Sequence, residues 1–134
     1  MQLRLINFSS SVVVVERLKF ATTFWTRFRG LQFRNSLPPD EGLLIAPCRS
    51  IHTHWMRFSI DVTMLDRHGV VVQFHPHVRP WRMLAGERSV AIVLETVGGK
   101  TTASIGDRLR IQAGDESHAV PATLSHLVMQ RGNE

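Results

Sequence analysis

Cysteine, tyrosine and lysine are scarce in this chain of 134 residues, which has one cysteine, no tyrosine and two lysines. The single cysteine, Cys48, excludes a disulfide bond within the chain and a metal site built from thiolates alone. Long apolar runs are also missing, since Val12–Val15 is far shorter than the roughly twenty residues of a membrane-spanning helix. No basic, then apolar, secretory signal is evident at the start. These absences predict a cytoplasmic setting and no membrane segment.

Acidic residues are outnumbered by basic ones, with 11 Asp and Glu against 16 Lys and Arg, for a net charge of +5. A basic protein must be considered as a nucleic-acid binder. The arginines are scattered along the chain, however, and their densest group is only Arg27, Arg29 and Arg34. We therefore do not favour nucleic acid as the partner and expect a small molecule or another protein instead.

What is present is typical of a folded domain. Hydrophobic residues make up 43% of the chain, which is ordinary for a globular protein and argues against a disordered one. A chain of this length can bury about two-thirds of its unfolded surface. We expect a single domain over residues 1–134.

Short β-branched runs separated by turn residues predict a mainly β, α+β structure. One helix is expected near 23–30, with Thr22 or Thr23 as its N-cap and Phe24, Phe28 and Leu31 forming an apolar stripe. A second short helix is expected within 121–130. Such a pattern favours a small curled antiparallel sheet or β-barrel. Asp66–Gly69 is predicted to form a hairpin turn before the strand at 70–74. The predicted strands are 2–6, 12–20, 43–46 (ended by Pro47), 51–65, 70–74 (stopped by Pro76), 89–96 and 108–112.

Residues 51–65 are rich in β-branched and aromatic residues and contain no glycine or proline, and we predict one continuous strand there. Side chains of a strand alternate between two faces. One face is expected to meet the core, and it carries His52, His54, Met56, Phe58, Ile60, Val62 and Met64. The other face, which carries Trp55, Arg57 and Asp61, should form a surface or a groove.

The same stretch resembles a known family. Ile-His-Thr-x-x-Met-Arg-Phe-x-Ile-Asp-Val at 51–62 is similar to the signature of Domain of Unknown Function family 192, which occurs in bacteria and archaea. The resemblance covers roughly residues 20–112; the family often has Phe-Gly in place of His54-Trp55 and Pro in place of Ser59. It implies a compact β-rich domain and supplies no reaction. Further matching positions are Arg27, Gly30-Leu31, Gly42-Leu43, Leu65-Asp66, Gly69–Val71, Pro80-Trp81, Leu94-Glu95, Gly98-Gly99 and Gly106–Leu109.

His52 and His54 are the first candidate site residues, because two imidazoles on one strand face could share a metal ion. The pair His75 and His77 repeats the spacing, but Pro76 disturbs it. No carboxylate lies at a fixed spacing from either pair, and the family often lacks the histidine at position 54. We therefore predict no metal and no cofactor, and keep His52 and His54 as the only metal-ligand candidates.

Asp61 and Glu95 are acids in strongly apolar surroundings, where an unpaired carboxylate is costly. Two interpretations stay open. Each acid could accept hydrogen bonds from loop amides or pair with an arginine, and so stabilise the fold. Alternatively, both could converge with His52 on a pocket, one of them with a raised pKa suited to acid–base chemistry. In that second case Asp61→Asn should remove ligand binding and leave the melting temperature nearly unchanged.

The function hypothesis that follows is a binding module for a small ligand or a protein partner. The alternative is a hydrolase-type enzyme that uses His52 with Asp61 or Glu95, with or without a metal, and a second alternative is a structural accessory domain. An enzyme needs imidazole and carboxylate at one cavity, whereas a binding module needs an apolar or aromatic groove. The predicted ligand-binding residues are His52, Trp55, Met56, Arg57, Asp61 and Glu95.

Overall fold

The computed structural model describes residues 3–129, so Gln2 and Gln130, the outer ends of two predicted elements, lie outside the described residues. The mainly β, α+β prediction is confirmed. One α-helix, α1, spans Phe24–Arg29, and two 3₁₀ helices follow the last strand at Gly114–Ala119 and Ala122–Leu127. The strands are β1 (Arg4–Asn7), β2 (Val12–Val15), β3 (Arg17–Ala21), β4 (Glu41–Ile45), β5 (Ser50–His52), β6 (Ile60–Asp66), β7 (Val71–Val78), β8 (Met83–Ala85), β9 (Val90–Val97) and β10 (Leu109–Gln112).

A five-stranded sheet in the order β3-β4-β9-β6-β7 forms the centre of the fold. β3 and β4 are parallel, and the other pairs are antiparallel. A three-stranded sheet, β10-β1-β2, and the short pair β5-β8 complete the architecture. Within residues 3–129 none of these sheets closes into a barrel, because the edge strands β3 and β7 do not pair with each other. The predicted β-barrel is therefore not found in the described part of the chain, and the predicted antiparallel sheet contains one parallel pair, β3 and β4.

The central sheet is buried on both faces. One face carries Leu43, Val62 and Val93 and packs toward α1 and the loops that follow it. The opposite face carries Leu44 and Leu94 and packs against the three-stranded sheet and the second 3₁₀ helix. Because both faces are covered, the second face of β6 is not the predicted surface or groove. Its residues Asp61, Thr63 and Leu65 are at most 1% exposed.

The expectation of one continuous strand over 51–65 is wrong. β5 ends at His52 and β6 begins at Ile60, with a loop between them. The chain turns at the buried Thr53, whose N–H donates to the Arg82 carbonyl and whose hydroxyl donates to the Arg79 carbonyl. Trp55 then adopts a left-handed φ of 65°, which no strand accommodates. β5 consequently pairs with β8 and not with the central sheet.

The predicted helix over 23–30 is confirmed as α1. Thr23 caps it by accepting a hydrogen bond from the Thr26 N–H, and Thr26 bonds back to the Thr23 N–H. The helix ends at Gly30, where φ +50° and ψ −125° favour glycine. Of the predicted apolar stripe, Leu31 is buried, whereas Phe24 and Phe28 are exposed.

Three other elements depart from the predictions or confirm them. The predicted strand 12–20 divides at Glu16, because β2 pairs with β1 and β3 with β4. β7 continues through Pro76, where its pairing with β6 is irregular; as an edge strand it tolerates the missing N–H. The hairpin turn before β7 forms with an Asp66–Gly69 hydrogen bond.

Within residues 3–129, no helix is both long and apolar enough to cross a membrane.

Candidate functional site

A cavity of about 380 Å³ lies between α1 and the central sheet. α1 and the residues just after it form one wall, and the segment from Pro47 to His52 forms another. Ile45, Met56 and Glu95 complete the lining. Phe24 and Phe28 contribute exposed aromatic rings, so that the cavity combines an apolar lining with a few polar groups. That combination is typical of small-molecule sites.

Glu95 is the acid of this cavity. It lies on β9 directly opposite Leu43 of β4 and Val62 of β6, and it is 2% exposed. Because burial between apolar neighbours disfavours the charged carboxylate, the pKa of Glu95 is raised to about 8. Its Oε1 atom has no hydrogen-bond partner in the part of the chain that the structure describes. The end of α1 passes close by: a Cβ at Gly30 would lie 3.5 Å from that oxygen.

Arg27 and His52 each bring a buried polar atom without a partner to the same cavity. Arg27 donates from Nη1 to the Pro47 carbonyl at 2.8 Å, and its Nε has no partner among residues 3–129. The Nδ1 of His52 has no partner among the described residues, and its Nε2 lies 3.5 Å from the amide nitrogen of Gln32. Burial, and secondarily the neighbouring His54, lowers the pKa of His52, so the imidazole is neutral at pH 7.

These orphaned atoms are concentrated at one place. Within residues 3–129, five buried side-chain nitrogen or oxygen atoms lack a partner, and three of them belong to residues that line this cavity. Buried polar groups are nearly always hydrogen-bonded, because an unpaired one loses its hydration without compensation. A cavity that collects three such atoms therefore has the polar features of a binding site.

The charge of the cavity is positive at neutral pH. Arg27, Arg29 and Arg49 contribute to its lining, and Glu95 is the one acid among the residues of 3–129 that line it. With its pKa near 8, Glu95 is mostly protonated at pH 7 and does not cancel those charges.

Asp61 does not belong to this cavity. Its strand partner is Thr96, whereas the partner of Val62 is Glu95, so adjacent rows of the sheet send the two acids to opposite faces. The Asp61 carboxylate accepts hydrogen bonds from the N–H groups of His77, Gly99 and Thr101 at 3.0–3.2 Å. Burial opposes ionisation, but these bonds outweigh it and lower the pKa of Asp61. The predicted convergence of His52, Asp61 and Glu95 is thus not found.

The six predicted binding residues divide into two groups. His52, Met56 and Glu95 line the cavity. Asp61 lies on the other face of the sheet, Trp55 packs its exposed ring against Phe33 and Trp81, and Arg57 donates to Asn35. The prediction missed Arg27 and Gly30 as cavity residues, although both lie at positions that match the family signature.

A metal site has little support in this part of the molecule. The rings of His52 and His54 are 5.0 Å apart, but nowhere in residues 3–129 do three His, Cys, Asp or Glu side chains cluster to hold an ion. The Cys48 thiol donates to the Ser50 carbonyl. Burial, and secondarily the nearby Glu95, raises the pKa of Cys48, so it is a thiol and not a nucleophilic thiolate at pH 7.

Comparison with known proteins finds relatives of similar size. A UPF0127 protein of Thermococcus sibiricus is 34% identical over 133 residues, which cover 92% of this chain and 84% of the relative. A UPF0127 protein of Pyrococcus furiosus is 29% identical and covers 78% of this chain and 95% of the relative.

Two solved structures share the fold. A protein of Sinorhizobium meliloti 1021, described provisionally as a transcription regulator, superposes with a TM-score of 0.70 at 24% identity, over 81% of this chain and 90% of the other. A protein of unknown function from Novosphingobium aromaticivorans DSM 12444 also gives 0.70, at 20% identity, over 81% and 82%. The DUF192 family model, described as Uncharacterized ACR, matches residues 6–116. The sequence resemblance is therefore confirmed, and the chain belongs to the DUF192 family.

Proposed function

We propose that this protein is a single-domain, cytoplasmic binding module whose ligand is a small amphipathic molecule held in the cavity beside α1. The observation that carries the proposal is the concentration of three unpartnered polar atoms, on Arg27, His52 and Glu95, at one partly apolar cavity. A ligand that gave these atoms partners would recover the free energy that their burial costs.

The arrangement favours a particular kind of ligand. Protonated Glu95 can donate and accept, Arg27 Nε can only donate, and neutral His52 can do either at Nδ1 according to its tautomer. A carboxylate or a carboxamide head group offers acceptors to such a set. The three arginines that line the cavity favour an anionic head group over a cationic one. Phe24 and Phe28 suit an apolar body.

A matched series of ligands tests this. Octanoate, octanamide and octylamine share an apolar chain and differ in the head group, and their binding can be followed by amide NMR shifts of the isotope-labelled chain. We expect octanoate and octanamide to shift Gly30, Cys48 and Glu95, and octylamine to bind more weakly. Arg27→Gln should weaken octanoate binding, whereas Arg4→Gln, whose arginine pairs with Glu16 outside the cavity, should not.

A screen of chemically varied fragments tests the proposal without assuming that the ligand carries an octyl group. Fragments that bind anywhere should shift the residues around α1 more often than the rest of the surface. Hits spread evenly over the surface, or an Arg27→Gln variant that binds as the parent chain does, would contradict the proposal.

The second candidate function is the hydrolase-type enzyme. One observation favours it: His52 is a neutral imidazole and Glu95 a protonated acid at the same cavity, which is the pairing that acid–base catalysis requires. Asp61 is excluded from that role because backbone amides occupy its carboxylate. Hydrolysis of 4-nitrophenyl octanoate that is lost in both His52→Ala and Glu95→Gln would support catalysis. Turnover that survives in either variant would remove this candidate and leave binding or a structural accessory role.

A further inference from the structure

Four aromatic side chains form a continuous surface beside the cavity, made of Phe33, Trp55, Trp81 and His54, which we call the aromatic ribbon. Phe33 and Trp55 are stacked with ring centroids 5.9 Å apart, Trp55 and Trp81 meet at 4.8 Å, and Trp81 and His54 at 5.2 Å. The first three are 57%, 55% and 52% exposed. Large aromatic side chains that remain half exposed and adjoin one another mark a contact surface more than a packing element.

The backbone holds these rings in an unusual conformation. Phe33, Trp55 and Trp81 have left-handed φ angles of 65–66°, which bulky residues rarely adopt. Hydrogen bonds maintain it: the Phe33 N–H donates to the Trp55 carbonyl, and the Trp81 N–H donates to the Thr53 carbonyl, both at 3.1 Å. Strained backbone of this kind is found where the surrounding structure enforces it, and it concentrates at functional surfaces.

The segments that carry the ribbon contain positive charges only. The segments that carry it and its neighbours, 24–39, 46–60 and 74–86, contain seven arginines and no acidic residue. Arg57 and Arg82 are exposed, and they follow Trp55 and Trp81 closely in the chain. Of the seven, only Arg34 forms an ion pair, with Glu41, within the described residues.

From these features, and against the expectation drawn from the scattered arginines alone, we propose that the aromatic ribbon binds single-stranded nucleic acid, with bases stacked on Trp55 and Trp81 and phosphates near Arg57 and Arg82. Proteins that bind single strands without sequence preference combine exposed aromatic rings with a positive surface. A duplex keeps its bases stacked on each other, so it cannot use the rings. A neutral ligand would not use the arginines. The ribbon adjoins the cavity through His54, whose ring lies 5.0 Å from that of His52, but none of the four ribbon residues belongs to the cavity lining.

The test is fluorescence anisotropy of a labelled oligothymidylate of about ten nucleotides, titrated with the full chain at low salt. Trp55→Ala and Trp81→Ala should each weaken binding about tenfold, because one stacked base is lost. Trp25→Ala is the matched control, since Trp25 is exposed on α1 outside the ribbon and should leave affinity unchanged. Glu95→Gln should also leave the affinity for the oligonucleotide unchanged, so that this test is separate from the tests of ligand binding in the cavity.

Two further measurements do not depend on removing a ribbon ring. In a Trp25→Phe background, fluorescence of the remaining tryptophans should be quenched by the oligonucleotide and not by inorganic polyphosphate. Arg57→Gln and Arg82→Gln should each reduce the slope of log affinity against log salt by about 0.7, and Arg4→Gln should not.

Three results would overturn the proposal. One is the absence of an affinity that depends on the two tryptophans, seen either as no binding at low salt or as binding by Trp55→Ala and Trp81→Ala equal to that of the parent chain. The second is quenching by polyphosphate equal to that by the oligonucleotide, which would reveal charge attraction alone. The third is a ribbon that mediates contact between two copies of the chain, seen as tryptophan variants that change sedimentation but not oligonucleotide affinity.

Discussion

Asp61 and Glu95 lie on neighbouring strands of one sheet, in adjacent rows, and are both about fully buried at 1% and 2% exposure. Three backbone amides bind the first, and its pKa is lowered. The second has an oxygen without a partner, and its pKa is raised. Burial is therefore not what distinguishes a structural acid from a candidate site acid. The difference is whether the surrounding backbone completes the hydrogen bonds of the carboxyl group.

The two regions should respond to pH in opposite directions. Glu95 keeps in the folded state a proton that the unfolded chain releases above its ordinary pKa of 4.5, so stability falls as the pH rises from 4.5 to about 8. Asp61 is ionised in the folded state below its ordinary pKa of 3.8, so its contribution is present above that pH and lost as the pH falls through its lowered pKa.

The largest expected effect is on the Glu95 side. Glu95→Gln removes the titrating group, so urea unfolding of the variant should lack the decline between pH 4.5 and 8. A shift of this size corresponds to at most about 5 kcal/mol across the window. The variant should thus become more stable than the parent chain as the pH rises. If the free energies of unfolding of the two proteins changed with pH in the same way over this range, the raised pKa of Glu95 would be contradicted.

Asp61→Asn should lower the free energy of unfolding by about 2–4 kcal/mol at pH 7, because a charged acceptor of several amide bonds is lost. Equilibrium denaturation measures it, with Asp40→Asn as the control, since that acid pairs with Arg17 at the surface and should matter little. Octanoate binding per folded molecule should be unchanged. An unaltered stability together with lost binding would restore the pocket role for Asp61.

Gly30→Ala should destabilise the protein by about 1–3 kcal/mol, since a side chain is strained at φ +50°. The added methyl group would also lie against Glu95 and so change ligand binding. Gly106→Ala is the matched control, because Gly106 has φ +95° with open space around it. Both variants should melt earlier, but only the first should alter binding at the cavity.

Thr53→Val should cost about 1–2 kcal/mol, because the hydroxyl donates to the Arg79 carbonyl at 2.7 Å and accepts from the Arg82 N–H at 2.9 Å. Loss of these bonds frees the loops that carry Trp55 and Trp81. The control is Thr63→Val, whose buried hydroxyl has no partner, so that replacement should be neutral or stabilising. Thermal unfolding of the two variants side by side gives the comparison.

Local patterns predicted the fold better than the site. α1 and its Thr23 cap, the turn before β7 and the strand β9 all follow from nearby residues, and each was predicted. The break of residues 51–65 could not be predicted, because it depends on hydrogen bonds between Thr53 and the backbone of Arg79 and Arg82, which lie 26 and 29 positions further along the chain. The composition of the stretch alone gave no sign of these distant partners.

The site could be predicted only in part, because it too depends on pairing between residues that are distant in the chain. Both acids were recognised as unusual from their apolar neighbours, but only strand register decides that Asp61 pairs with Thr96 and Glu95 with Val62. A shift of one residue would have placed them on one face. The acid-free segments around the aromatic ribbon were visible in the sequence, yet the ribbon itself depends on loops whose meeting no local pattern reveals.

The most direct test of the contrast is a carbon-detected NMR titration of the side-chain carboxyl groups in the intact protein. Glu95 should titrate with a midpoint near 8, whereas Asp61 should remain ionised to below 3.8. A Glu95 midpoint at or below 4.5 would mean that its carboxyl group has hydrogen-bond partners or contact with solvent. That result would contradict the proposal that the cavity beside α1 is a binding site.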